Sequence, residues 1–113
     1  MTATLHLKSI TCYQQAETGY DELYLTFTGK KISLKHMTRG DTHVLSGDYD
    51  FDGSAPLALF ENDGDHWYDR DDFIASQTIT ESQAPDDFPL EFHATSGNAK
   101  GARYELVVNV TPV

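Results

Sequence analysis

The sequence is short of positive charge. Lys and Arg number 8 against 18 Asp and Glu, a formal net charge of −10 over 113 residues. That balance excludes a nucleic-acid binder, which gains affinity by displacing counterions from phosphates with cations. It argues equally against plain adsorption to anionic membranes, and it suits cations, basic partners or simple solubility. Cysteine is scarcer still. Cys12 stands alone, so the chain closes no internal disulfide and the thiol says little about compartment. No apolar run approaches the length needed to span a bilayer. Residues 1–8 lack the charged-then-apolar order of a signal peptide. The expectation is a soluble protein, cytoplasmic or exported by a leaderless route.

Helical periodicity is also missing, since good helix formers never run for two turns. What the chain has instead is enough apolar material for one core. Apolar residues make up 39%, with six Phe, six Tyr and one Trp. The length allows one core and not two, so residues 1–113 are expected to form a single domain. Short runs of β-type separated by Gly, Asp and Asn recur throughout. Residues 4–13 carry Leu5, Leu7, Ile10 and Cys12, with a change of phase near Ser9 that predicts a bulge. Residues 22–28 alternate Leu23, Leu25 and Phe27 against Tyr24 and Thr26. Further runs are centred on Ile32, on Val44 and Leu45, and on Tyr49 and Phe51. Residues 57–61, 73–80 and 88–93 follow. The last run alternates Tyr104, Leu106, Val108 and Val110 against Glu105, Val107 and Asn109. About eight strands with no helix predict an all-β, antiparallel eight-stranded β-sandwich.

Between the runs at 57–60 and 73–74 lies the densest charge in the chain. Residues 61–72 hold six acids: Glu61, Asp63, Asp65, Asp69, Asp71 and Asp72. Such a loop repels itself unless solvent, salt or a bound cation relieves the charge. Calcium takes six to eight oxygens at about 2.3–2.6 Å in flexible geometry, and acids at i, i+2 and i+8 to i+11 of one irregular loop can curl around one ion.

These same stretches carry a family resemblance. Residues 5–24 resemble the first half of a C2 domain, in which a strand enters an acidic loop that closes on an acid and a Tyr-apolar strand. Here the closing residues are Asp21, Glu22, Leu23, Tyr24 and Leu25. The segment from Leu57 through Phe60 to Glu61 and Asp63, closed by Asp71, Asp72, Phe73 and Ile74, resembles the third loop of that family. Tyr49-Asp50-Phe51 resembles the aromatic strand before it. The resemblance implies a calcium-binding C2-like β-sandwich with the ion held by loops at one end. Carried over, the metal ligands are Glu17 and Asp21 (or Glu22) from the first loop, and Glu61, Asp63, Asp69, Asp71 and Asp72 from the third. It also implies loop tips that meet phospholipid or a protein partner. His66, Trp67 and Tyr68 form such an aromatic tip, unless Trp67 folds back onto the core.

Other motifs carry less. Asp48-Tyr49-Asp50-Phe51-Asp52-Gly53 opens like an EF-hand loop, but its twelfth position is Leu59 and flanking helices are missing, so the aspartates read as the solvent side of a strand. Lys30, Lys31, Lys35 and Arg39, with His36 among them, form a basic cluster whose simplest meaning is a solvated strand face. Lys31 and Lys35 are expected to share that face. The five His lack zinc spacing, and no Ser or Cys has a nucleophile motif beside it. A non-enzymatic calcium-binding module is therefore the first expectation. A metal-free protein-interaction or adaptor sandwich is the alternative, and a carbohydrate-binding one a third.

Overall fold

Alternation drives the structure. Leu23, Leu25 and Phe27 turn one way and Tyr24 and Thr26 the other, because side chains on a strand repeat every two residues. The computed structural model describes residues 2–16, 19, 21–62, 71–82 and 86–112. Among the described residues are nine strands: β1 (Thr2–Gln14), β2 (Leu23–Phe27), β3 (Lys30–Ser33), β4 (Thr42–Val44), β5 (Asp48–Asp52), β6 (Ser54–Glu61), β7 (Asp72–Thr80), β8 (Phe88–His93) and β9 (Arg103–Pro112). They form two antiparallel sheets. In one, β1 lies between β9 and the pair β4 and β5, with β8 beyond β9; the other runs β3-β2-β6-β7.

Nine strands fill the eight lateral positions of the expected sandwich. β5 pairs with residues 2–6 of β1 and β4 with residues 9–11 of the same edge, so the two share one position. The exchange happens where β1 bulges. Leu7 faces Val108 and Ser9 faces Val107, which leaves Lys8 as the extra residue. That insertion keeps Ala3, Leu5 and Leu7 inward on one side of it and Ile10 and Cys12 inward on the other. A second bulge on β7, between the pairs Leu59–Ala75 and Phe60–Phe73, lets Ile74 and Ile79 both face inward despite their odd spacing.

The core is the space between the sheets. Leu5, Leu7, Ile10, Leu106 and Val108 pack from one side, and Leu25, Phe27, Leu57, Leu59 and Ile79 from the other, all buried. Asp48, Asp50 and Asp52 lie on the solvent side of β5, as the alternation predicts, and accept from His6, Thr4 and Thr2 of β1 at 2.6, 2.7 and 2.7 Å. At one lateral opening the Gln77 amide of β7 donates to the Glu91 carbonyl of β8 at 2.6 Å. Glu91 thus turns its backbone away from β9, and Pro89, two residues earlier, turns its donor-less nitrogen to the same open edge, where no ladder bond is lost. One expectation fails. β3 ends at Ser33, so Lys35 lies beyond the strand and does not share a strand face with Lys31.

Gly47 joins β4 to β5 with φ of 134°, and the Tyr49 ring lies 2.9 Å from where a Cβ would stand. Gly53 also has positive φ, 66°, but open space around it. Gly47→Ala is therefore expected to destabilise by more than about 1 kcal/mol, and by more than Gly53→Ala, in urea titrations. Equal losses at the two positions would show that the Tyr49 contact is unimportant.

Candidate functional site

Counting inward by twos leads to two acids. Phe27, Leu25 and Leu23 face the core, and Asp21 is the next position of that row. On the neighbouring strand Leu57 and Leu59 face the core and Glu61 continues them. Leu23 is in register with Glu61, so the two rows end side by side at one mouth of the sandwich. Both carboxylates are enclosed: Asp21 is 0% and Glu61 1% exposed. They are the buried charged residues among the described ones. The neighbouring segments are tied together, as Asn62 N–H donates to the Glu22 carbonyl at 2.6 Å. On the far side of β6, Asp72 opens β7 in register with Glu61.

Asp21 is held from three directions. Its backbone N–H and C=O exchange hydrogen bonds with Met37 at 2.8 and 3.0 Å, an isolated bridge outside the sheets. Its Oδ2 accepts from the Ala16 N–H at 2.6 Å. The same oxygen accepts from the Tyr104 hydroxyl, which crosses from β9 in the opposite sheet. Tyr104 is fully buried opposite Cys12 of β1 and lies within hydrogen-bonding reach of that thiol. Burial, and then the bond to Asp21, hold the Tyr104 phenol far above its ordinary range. Burial also pushes the Cys12 thiol up, against the opposing bond from Tyr104.

The outer side of the same sheet end has a different character. The Tyr24 hydroxyl donates to Asp71 Oδ2 at 2.5 Å. Its ring stacks on Phe60 at 5.2 Å and 7°, and Phe60 meets Phe73 edge-on at 5.5 Å. The Lys31 ammonium lies 4.3 Å from the Tyr24 ring centroid, completing a row across all four strands. Phe73, at the open edge, is 53% exposed. Burial, followed by the Asp71 contact, pushes the Tyr24 phenol up to about 12. Glu22 points outward too and pairs with His36 at 3.3 Å. Beside it a shallow groove of about 180 Å³ is lined by Glu22, Tyr24, Lys31, Ser33, His36 and Asn62 among others.

Of the expected ligands, then, Asp21 and Glu61 end neighbouring core-facing rows, Asp72 is in register with Glu61, and Asp71 accepts from Tyr24. Of the alternatives Asp21 and Glu22, Asp21 is buried and Glu22 pairs outward with His36. Glu17, Asp63 and Asp69, and the aromatic trio His66, Trp67 and Tyr68, lie outside the described residues. Among the described residues no three His, Cys, Asp or Glu side chains converge to hold a metal ion. The donors at this end of the sandwich are carboxylate oxygens, the hard ligands that calcium takes. In kind they fit calcium. The Tyr104 contact to Asp21 escapes sequence reasoning, because alternation marks Tyr104 only as core. The row from Phe27 to Asp21 is the signal that marks Asp21 as buried.

Both phenols keep their protons more firmly in the folded protein than in the unfolded chain. Their contribution to stability is complete below pH 10 and is lost as pH rises, through about 12 for Tyr24. Ultraviolet difference titration is expected to show Tyr104 ionising only on unfolding. Tyr24→Phe is expected to shrink the stability loss between pH 10 and 12; an unchanged alkaline profile would contradict the Tyr24–Asp71 contact.

No protein-family model matches the sequence, and neither does any curated protein. Solved structures do match in fold. A C2 domain of plant extended synaptotagmin 1 superposes with a TM-score of 0.61 at 10% identity, covering 99% of this chain and 95% of that one. Another C2 domain gives 0.58 at 8% identity, covering 99% of each. Human GIVD cytosolic phospholipase A2 gives 0.61 at 15% identity over 97% of this chain, which spans only 16% of that enzyme. No helix among the described residues is long and apolar enough to cross a membrane. An all-β sandwich with buried acids at one mouth, matched end to end by C2 domains, is a C2-domain-like fold.

Proposed function

We propose that this chain is a non-enzymatic calcium-binding module. The observation that carries the reading is the pair Asp21 and Glu61, two enclosed carboxylates placed by strand register at one mouth of the sandwich. An enclosed carboxylate costs several kcal/mol to desolvate unless something compensates it, on the order of the penalties known for buried ions. Asp72, adjacent to Glu61, and Asp71, which brings one oxygen already engaged by Tyr24, complete the described part of the ligand set. Glu17, Asp63 and Asp69 are its remaining members. A bound calcium ion would supply positive charge that offsets the mutual repulsion of these acids. The likeness to C2 domains supports the same assignment through the fold. The aromatic trio His66, Trp67 and Tyr68 is the proposed contact with phospholipid or a protein partner. No helix long enough to anchor the domain in a bilayer occurs among the described residues, so such contact would be made by loops.

A metal-free interaction module is the second reading, favoured by Phe73. That ring is half-exposed at the open edge of the sheet, at the end of an aromatic row.

Calorimetric melting separates the two. In millimolar calcium, at a hundredfold excess over Kd, the folded state should gain about 2.7 kcal/mol. For a domain of this size that is a rise of about 10 °C or more in Tm, reversed by chelator. Asp63→Asn should remove most of the rise and Asp50→Asn, on the far face, none of it. A melting curve indifferent to calcium sinks the calcium reading. Trp67→Ala is expected to keep the calcium response while abolishing calcium-dependent binding to anionic vesicles or to the partner. Vesicle binding that survives this change would remove the aromatic tip from the contact surface.

A further inference from the structure

The geometry points to Tyr104 as the residue that positions Asp21 for calcium, an inference that rests on the reading above. Asp21 ends a core row, and among the described residues before it the Ala16 N–H donates to its carboxylate. A second donor comes from a different part of the molecule. Tyr104 is the first inward side chain of β9, its ring fully buried and its strand paired on both sides, with β1 and with β8. A phenol fixed in this way offers its hydroxyl at one place, and that place is Asp21 Oδ2. Asp21 is fully enclosed, so its carboxylate is cut off from solvent where it meets the phenol. The packed core therefore takes part in setting the direction in which Asp21 presents itself. Tyr104 would not touch the ion. It acts through Asp21, as outer partners of ligating carboxylates do, and loss of such a partner typically weakens metal binding tenfold to a hundredfold.

The chemistry of the contact makes it separable from packing. Tyr104→Phe keeps the ring and removes only the hydroxyl, whereas Val108→Ala opens a cavity on the same strand and leaves Asp21 its donors. Calcium binding is measured by titration calorimetry on the full chain, at a temperature where all variants are folded, together with Tm. Tyr104→Phe is expected to bind calcium at least about tenfold more weakly. Val108→Ala is expected to lose stability and to bind like the parent. Parent-like affinity in Tyr104→Phe overturns the inference and leaves the calcium reading standing. So does a loss of affinity in Val108→Ala as large as that in Tyr104→Phe, since destabilisation alone would then explain both. No heat and no melting shift in the parent chain overturns the calcium reading and this inference with it. Should Tyr104→Phe fail to fold, the parent still decides: the resonance of the buried Tyr104 hydroxyl proton should shift in the proton spectrum on calcium addition. A resonance that stays in place counts against Tyr104.

Discussion

One hydrogen bond joins the two halves of this sandwich at its acidic mouth: Tyr104 of β9 to Asp21 ahead of β2. Elsewhere the sheets meet mainly through apolar surface, which is strong but not directional, with the Gln77–Glu91 bond as a further polar link at a lateral opening. Here a polar atom from one sheet meets a carboxylate from the other in the core. A hydrogen bond to a charged group contributes about 1.5–3 kcal/mol when both partners are satisfied, and leaving either unsatisfied inside costs a comparable amount. The contact therefore ties together features that look independent. The bulge at Lys8 puts Cys12 inward opposite Tyr104, and the bridge between Asp21 and Met37 fixes the backbone that carries the carboxylate. Moving the register of β9 or β2 by one residue would point the polar partners away from one another.

The same constraint divides the acids of the chain into two kinds. Asp48, Asp50 and Asp52 face water, and each is met by a hydroxyl or imidazole of the neighbouring strand. Contacts of that kind are exposed and contribute little. Asp21 and Glu61 belong to the core-facing rows and are cut off from solvent. A net charge of −10 does not distinguish these populations; direction on the strand does. The structural cost of charge is concentrated at the mouth, and a function that needs charge would be found there.

Much of this is legible in the sequence because period-two patterns translate directly into faces. The alternation of 104 to 110, the phase change near Ser9, and the reading of 48–52 as a strand with aspartates outside all correspond to the structure. The count of eight positions survives, with β4 and β5 sharing one of them. What escapes depends on long-range contact. Tyr104 and Asp21 are 83 residues apart, and no local pattern announces that a core phenol will find a loop acid. Even spacing puts Lys35 on one face with Lys31, but spacing alone does not say where a strand stops, and β3 stops at Ser33.

Aromatic residues give the second sheet its other organising row, and it shows how one strand can serve both faces. On β2, Leu23 and Leu25 pack inward while Tyr24 between them lies under Lys31 and against Phe60 outside. Its hydroxyl then reaches Asp71, where the acidic loop returns to β7. Tyr24 thus does on the outer face what Tyr104 does on the inner one: each phenol, anchored by its ring, holds an acid that precedes a strand. With a phenolic donor on either side of the second sheet, the carboxylates nearest the strands are oriented by packed rings.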